Sequence, residues 1–267
     1  MSDHHSNSGC ENILSADMIG KKIFSSKEHF DLLDWVLKLA DKIFTDSEFS
    51  KNDIASVYNY PKNKIYVTYL GIGNEFKKIN KFTAKSYIRE KLGIKNDYIF
   101  FINTGRPRKL LEAFKGMLKK VKKPLSLVIL GDSSKGEKKV VDLVKELNIE
   151  NNIYFINSHI SDIDLNNLYS GAEFFVSPSF YEGFGLTPLE ALKSGCPVLI
   201  SNVTALPEIY KNAALYCDPT SVLDMKKKLI LLNKSKILKT NILRNSKKII
   251  VNYTWDKVAY TSIKYLS

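Results

Sequence analysis

At 267 residues, 44% hydrophobic and 25% charged, the chain is long enough to bury a sizeable core and has the composition of a soluble globular protein, which argues against disorder. Its formal charge of +12 points to an anionic partner, but the basic residues are nearly all lysine, with arginine only at Arg89, Arg106, Arg108 and Arg244, so a nucleic-acid reader built on arginine forks is not expected. Cys10, Cys196 and Cys217 lack the pairing and spacing of a disulfide framework or a zinc site, and no apolar run approaches the roughly 20 residues of a membrane span.

In chain order, the first twenty residues lack the basic-then-apolar order of a signal peptide, so a cytoplasmic chain is expected, with any contact at the inner face of the membrane peripheral. KEHFDLLDWVLKLADKIF reads as an amphipathic helix running into a strand, and SEFSKNDIASVY as a helix capped by Ser47 or Ser50. KIYVTYL (64–70) reads as a strand and GIGNEFKKINKF (71–82) as a polar linker.

From about residue 97 short apolar runs alternate with helical segments, the βαβ pattern of a doubly wound parallel sheet. The strands are YIFFIN (98–103), LSLVIL (125–130), IYFI (153–156), EFFVS (173–177), PVLIS (197–201) and ALYC (214–217). Between them KLLEAFKGMLKKV, EKKVVDLVKEL, DLNNLYSGA and PLEALKS carry apolar residues at three- and four-residue spacing. NYTWDKVAYTSIKYL closes the chain as another amphipathic helix.

Two stretches carry candidate chemistry. In SFYEGFGLTPLEALKSG, Glu182 and Glu190 are separated by seven residues, Gly183 and Gly185 among them. Local rules make Thr187 an N-cap, Pro188 the first helical residue and Glu190 the far half of a capping box. That leaves Glu182 and the glycines unexplained. Glycines ahead of a helix amino terminus let a ligand approach the main chain and suit a phosphate. A carboxylate beside such a site is best used to accept hydrogen bonds from hydroxyls, and a sugar diphosphate has both groups. The second stretch, Gly105-Arg106-Pro107-Arg108-Lys109, follows a strand end and gathers three positive charges there.

Other signals have simpler readings. Asp162-Ile163-Asp164 has the form of a manganese-binding DxD, but Ser161 or Asp162 reads as a helix cap; no metal is expected. His4 and His5 read as solvated, His159 as a loop residue, and Tyr181 and Phe184 as core packing as readily as ligand stacking.

EGFGLTPLEALKSGCPVLISNVTALPEI, preceded by FFVSPSFY and followed by KNAALYCDP, resembles the signature of retaining glycosyltransferases of family 4, which have the GT-B fold. ADKIFTDSEFSKNDI, KIYVTYLGIGNEF and NYTWDKVAY extend the resemblance over most of the chain. It implies an α/β fold: a Rossmann-like parallel sheet domain (97–240) binding the nucleotide sugar, a reduced amino-terminal α/β portion (1–75), a linker (76–96) and C-terminal helices (241–267) packing back on the amino-terminal portion.

It further implies that Glu182, with the backbone around Gly183, Phe184 and Gly185, holds the donor sugar, that Leu186 and Thr187 offer N–H groups to the diphosphate, and that Glu190 grips the ribose. Arg106, Arg108 and Lys109 correspond to the family's diphosphate clamp, although GRPRKLLEAF is shortened by more than a helical turn relative to the usual spacing, leaving open which cation faces the phosphates. The donor is a nucleotide-diphosphate sugar, with UDP and GDP both open, the acceptor a saccharide or lipid-linked saccharide, and no tightly bound cofactor is implied. Most of a first domain and its catalytic histidine cannot be found in the sequence, which leaves three accounts open: a truncated product of a longer gene, a cleft completed by a partner subunit or by self-association through exposed apolar faces, or a reduced acceptor side of the chain's own. A non-catalytic donor-binding subunit, or a truncated fragment needing a partner, is the alternative reading.

Overall fold

A computed structural model describes residues 39–102, 107–131, 137–157 and 159–266. His4, His5, Arg106 and the amphipathic helix expected before residue 39 lie outside the described residues. The amino-terminal portion is a small βαβ unit: β1 (Ile43–Thr45), α1 (Glu48–Val57) and β2 (Ile65–Val67), with β1 and β2 parallel and Ile43 opposite Ile65. The expected strand at 64–70 is therefore shorter than its apolar pattern, and a 3₁₀ turn at Lys62–Lys64 leads into it. Ser47 is the N-cap of α1, its hydroxyl accepting from the Ser50 amide.

The main sheet has six parallel strands in the order β5-β4-β3-β6-β7-β8: β3 (Asp97–Ile102), β4 (Leu125–Leu130), β5 (Ile153–Ile156), β6 (Phe174–Ser177), β7 (Val198–Ser201) and β8 (Leu215–Cys217). These strands read as apolar runs because both faces of the sheet are covered; Ile99, Phe100, Leu127, Val128, Phe174 and Val176 are fully buried. One layer contains α2 (Lys81–Leu92), α5 (Asp162–Gly171), α6 (Leu186–Lys193) and α9 (Lys236–Ile250). The other contains α3 (Arg108–Leu118), α4 (Glu137–Glu146) and α8 (Val222–Lys234).

The sheet reverses its direction of growth between β3 and β6. In such folds the crevice at the carboxyl ends of those two strands is where ligands bind. It is framed here by the end of β3, the start of α3 with Arg108 and Lys109, and the glycine loop from β6 to α6.

Two boundaries differ from the expected ones. Residues 81–92, read as linker, form α2, whose Ala84 and Ile88 are fully buried against the main domain; Asn80 caps it by accepting from the Phe82 amide at 2.9 Å. A division at residue 240 would cut through α9, which is one helix from Lys236 to Ile250 packed on α6. Beneath β6 a partly buried carboxylate ties these helices together. Glu173 contacts Lys81 at 2.8 Å, Lys85 at 3.1 Å and Lys239 at 2.8 Å, and this cationic surround holds its carboxyl far below the usual range despite its burial.

The chain closes with α7 (Leu206–Tyr210) after β7 and α10 (Trp255–Leu266) at the end. α10 packs back on the amino-terminal portion, with the Tyr265 and Tyr66 rings 4.6 Å apart. The Tyr253 hydroxyl donates to the Ile209 carbonyl, and the Tyr253 ring meets Phe184 and Tyr69 edge-on at 5.6 and 5.9 Å.

Candidate active site

The glycine loop is gripped from two sides through its carbonyls. On one side Ser47 Oγ donates to the Gly183 carbonyl at 2.6 Å, with Ser50 Oγ at 3.3 Å from the same oxygen. On the other, the Ala205 amide donates to the Glu182 carbonyl at 3.4 Å and the Tyr210 hydroxyl to the Gly185 carbonyl, while the Glu182 amide donates to Thr204 Oγ1 at 3.1 Å. The amides of Gly183, Phe184, Gly185, Leu186 and Thr187 have no hydrogen-bond acceptor among the described residues. A loop with its carbonyls tied behind and its N–H groups open at a helix amino terminus is suited to an anion.

The expected capping box at Thr187 and Glu190 does not form. Helix α6 starts at Leu186, and its N-cap is Gly185 in the left-handed region (φ 85°), with no side-chain cap. The sequence rule placed the helix start at the Thr-Pro pair, but Gly185 reaches a conformation that turns the chain into the helix two residues earlier. Glu190 is thereby released from a structural duty at the helix end. Its Oε2 accepts from the hydroxyl of fully buried Tyr169 at 3.2 Å. Burial raises the Glu190 carboxyl to about 7, assisted by the charges of Glu75 and Asp162 and opposed by the Tyr169 hydrogen bond. Burial also raises Glu182, partly offset by a hydrogen bond from Ser179.

Each glycine is demanded first by the protein itself. A Cβ on Gly185 would lie 2.5 Å from Leu206 Cδ2. A Cβ on Gly183 would meet Asp46 Oδ2 at 3.2 Å and Ser50 Oγ at 3.4 Å, so its bareness lets α1 come close. Tyr181 and Phe184 turn toward the amino-terminal portion. The Tyr181 hydroxyl donates to Asp53 Oδ2 at 2.6 Å, and Phe184, 3% exposed, sits between Tyr69 and Tyr253.

Of the three clamp candidates, Arg106 lies outside the described residues. Lys109 reaches the carboxyl edge of the sheet, its Nζ donating to the Thr220 carbonyl at 2.7 Å and lying 5.6 Å from the Phe180 ring centre. Arg108 turns outward, its guanidinium hydrogen-bonding the Glu146 carboxylate at 3.2 and 3.1 Å and contacting Glu112 at 3.4 Å. Both Arg108 and Lys109 stand in the first turn of α3, where cations oppose the helix dipole unless an anion sits beside them.

Asp164 of the DxD-like triplet is committed elsewhere. With Ser161 it forms the capping box of α5, and it accepts from Tyr87 at 2.8 Å and Lys91 at 2.7 Å. His159 is exposed in a loop. Tyr169, Ser47 and Tyr210 were not singled out in the sequence as site residues; a tyrosine in a helical apolar pattern and a serine ahead of a helix carry no local sign of what they hold 21, 136 or 25 residues away.

The parallel α/β sheet and the C-terminal helix match the GT-B glycosyltransferase fold. The sucrose-phosphate synthase of Thermosynechococcus elongatus aligns with 90% of this chain and 61% of its own at a TM-score of 0.75 and 18% identity. Anabaena HepE, solved in complex with UDP and glucose, aligns over 90% of this chain and 68% of its own at a TM-score of 0.72 and 18% identity. Residues 84–249 match the family described as "Glycosyl transferases group 1", and the chain belongs to that family. Among curated relatives, O-antigen chain mannosyltransferase B of Escherichia coli is 34% identical over 190 residues, 70% of this chain and 50% of the relative. O-antigen chain mannosyltransferase RfbU of Salmonella typhimurium is 29% identical over 197 residues, 73% of this chain and 52% of the relative. The chain thus spans about half the length of these relatives. Among the described residues, no helix is long and apolar enough to cross a membrane.

Proposed function

We propose that this chain is the donor-binding part of a retaining glycosyltransferase of family 4 that moves a hexose from a nucleotide-diphosphate sugar to a saccharide or lipid-linked saccharide. The relatives are named mannosyltransferases, which makes mannose the sugar of choice. The observation that carries the reading is the glycine loop: its carbonyls are bound, its amides from Gly183 to Thr187 are open, and Glu182 and Glu190 flank them.

In this reading the Leu186 and Thr187 amides receive the diphosphate, Glu190 accepts the ribose hydroxyls, and Glu182, with the backbone of Gly183, Phe184 and Gly185, orients the sugar. Lys109 and Arg106 stabilise the charge that develops on the leaving phosphate, the term that dominates phosphate departure. The acceptor hydroxyl attacks from the leaving-group side through an oxocarbenium-like transition state, and the leaving phosphate takes its proton, so no separate base is needed. Arg108, whose partners in the structure are the Glu146 and Glu112 carboxylates, joins the clamp if a bound diphosphate draws it from Glu146.

A second reading is favoured by the two-stranded sheet of the amino-terminal portion. In it residues 39–70, one wall of a cleft, are completed by another polypeptide or by a second copy, and the chain supplies donor binding alone. Calorimetric titration with UDP, GDP and ADP, repeated on Glu190→Ala, tests both. Saturable binding of one nucleotide, weakened about tenfold or more in the variant, is expected. Absence of binding by all three in the wild type refutes the donor site.

A further inference from the structure

Glu208, in the ALPEI segment, has its carboxylate committed to the amino-terminal portion of the chain. Its Oε1 accepts from the Glu48 amide at 2.9 Å and its Oε2 from the Phe49 amide at 3.0 Å, so the carboxylate sits squarely on the first turn of α1. The Tyr69 hydroxyl donates to Oε1 at 3.0 Å. A carboxylate on amides at a helix amino terminus is a charge-assisted arrangement favoured by the dipole as well. Burial, then Glu208 itself, raise the Tyr69 phenol far above its usual range, so it remains a donor at any working pH.

The same α1 terminus carries Ser47, which binds the Gly183 carbonyl, and Glu208 is flanked by Thr204, Ala205 and Tyr210, which bind Glu182 and Gly185. The loop is therefore held between two jaws, α1 and residues 204–210. Ser47 and Tyr210 join each jaw to the loop, and Glu208 joins the jaws to each other across 160 residues of sequence. Without that third side, α1 would be held to the loop segment by Ser47, Ser50 and the Tyr181–Asp53 hydrogen bond alone, and its height above Gly183 would no longer be fixed from the 204–210 side.

We propose that Glu208 is a positioning residue for donor binding: it fixes the separation of α1 and residues 204–210 and so sets the orientation of the open amides from Gly183 to Thr187. The proposal rests on the donor-site reading above. It also makes the amino-terminal portion part of the donor site, because a displacement of α1 is passed to the loop through Ser47.

The test is residue-resolved amide hydrogen exchange of the full chain as wild type, Glu208→Gln and Tyr69→Phe, followed by titration with UDP and GDP. The informative amide is that of Glu182, which bonds to Thr204 Oγ1 rather than to the Glu208 carboxylate. In Glu208→Gln, exchange at Glu48, Phe49 and Glu182 is expected to quicken about tenfold, and affinity for whichever nucleotide binds the wild type to fall by a similar factor. Tyr69→Phe, which keeps the carboxylate, is expected to change the same three amides in the same direction by a smaller factor. Faster exchange at Glu48 and Phe49 with Glu182 unchanged overturns the proposal, since Glu208 would then only dock α1. If Glu208→Gln does not fold, an unchanged Glu182 in Tyr69→Phe overturns it equally. Failure of the wild type to bind either nucleotide counts against the donor site, while the exchange at Glu182 still decides whether Glu208 positions the loop.

Discussion

The Tyr169 hydroxyl reaches Glu190 Oε2 at 3.2 Å from the neighbouring helix, and it is the one side-chain donor that meets this carboxylate among the described residues. Tyr169 is fully buried among Phe76, Phe100 and Phe175, with ring centres 5.3 to 6.0 Å away, so its ring is fixed and its hydroxyl holds Glu190 in one orientation. In Tyr169→Phe the packing survives and stability should change by about 1 kcal/mol, the worth of one ordinary hydrogen bond. Nucleotide affinity should nevertheless fall severalfold, because Glu190 loses its orientation. Parallel melting and titration check this; unaltered affinity would remove Tyr169 from the site.

Glu190 also predicts how stability depends on pH. Its carboxyl titrates at about 7 when folded and near 4.5 when unfolded, with burial as the main cause. Between those values the folded chain holds a proton that the unfolded chain has released. Stability from this group is therefore fully present below pH 4.5 and lost as pH rises to about 7, by up to about 3 kcal/mol at 1.36 kcal/mol per unit. Glu190→Gln should flatten that part of the profile. Nucleotide affinity should run the other way, tightening from pH 6 to pH 8, because ribose hydroxyls donate best to an ionised carboxylate. Melting curves and titrations across this range decide both; parallel profiles in wild type and Glu190→Gln would contradict the assignment.

The roles of the two glutamates should separate. Glu182→Ala is expected to abolish sugar transfer in an assay with the completed cleft, while keeping affinity for the free nucleoside diphosphate within about threefold. This follows from placing Glu182 on the sugar and the amides on the phosphates. Equal losses of transfer and nucleotide affinity would show that Glu182 serves the phosphates or the loop's fold instead.

The six strands of the main sheet were legible in the sequence because a sheet covered on both faces leaves uninterrupted apolar runs such as YIFFI and LSLVIL. Residues 81–92 were not read as a helix because lysines and arginine dilute the apolar pattern, and Ala84 and Ile88 supply much of its buried face. The glycine loop was legible by composition, its N-cap was not. Thr-Pro ahead of a glutamate satisfies the usual helix-start rule, whereas the helix starts from the left-handed turn of Gly185, fixed by tertiary contacts with Leu206 and Tyr210. The grip of Ser47 on the loop and the bond of Glu208 to α1 join residues far apart in sequence, so no local pattern could announce them.

Glu173 and its lysines supply a prediction about the scaffold. The carboxyl is held far below its ordinary value, so the stability it contributes is present above pH 4.5 and is lost as the pH falls through more acid values. Glu173→Ala leaves Lys81, Lys85 and Lys239 facing one another without it, the first two partly exposed and Lys239 largely buried. A loss of about 2–4 kcal/mol is expected at pH 7, below the full cost of breaking a completely buried pair because water reaches part of the cluster. Denaturant titration at pH 7 and pH 3 should show this difference shrinking in acid; a constant difference would mean that packing, not charge, is what the substitution removes.

Gly185→Ala tests whether the helix start and the donor site are one structure. Alanine resists a φ of 85°, and its Cβ would fall 2.5 Å from Leu206 Cδ2, so the turn must open or Leu206 must move. The backbone conformation alone should cost about 1–2 kcal/mol, with the contact adding to it. If the loop relaxes by moving its start toward the Thr187-Pro188 pair, the Leu186 and Thr187 amides turn away from the crevice, and nucleotide affinity falls by more than tenfold in a chain that still folds. Leu206→Ala in the same background removes the clash but not the backbone strain. Recovery of stability without recovery of binding would show that the left-handed turn, rather than the space around it, aims the amides; recovery of both would show that the clash alone displaced them.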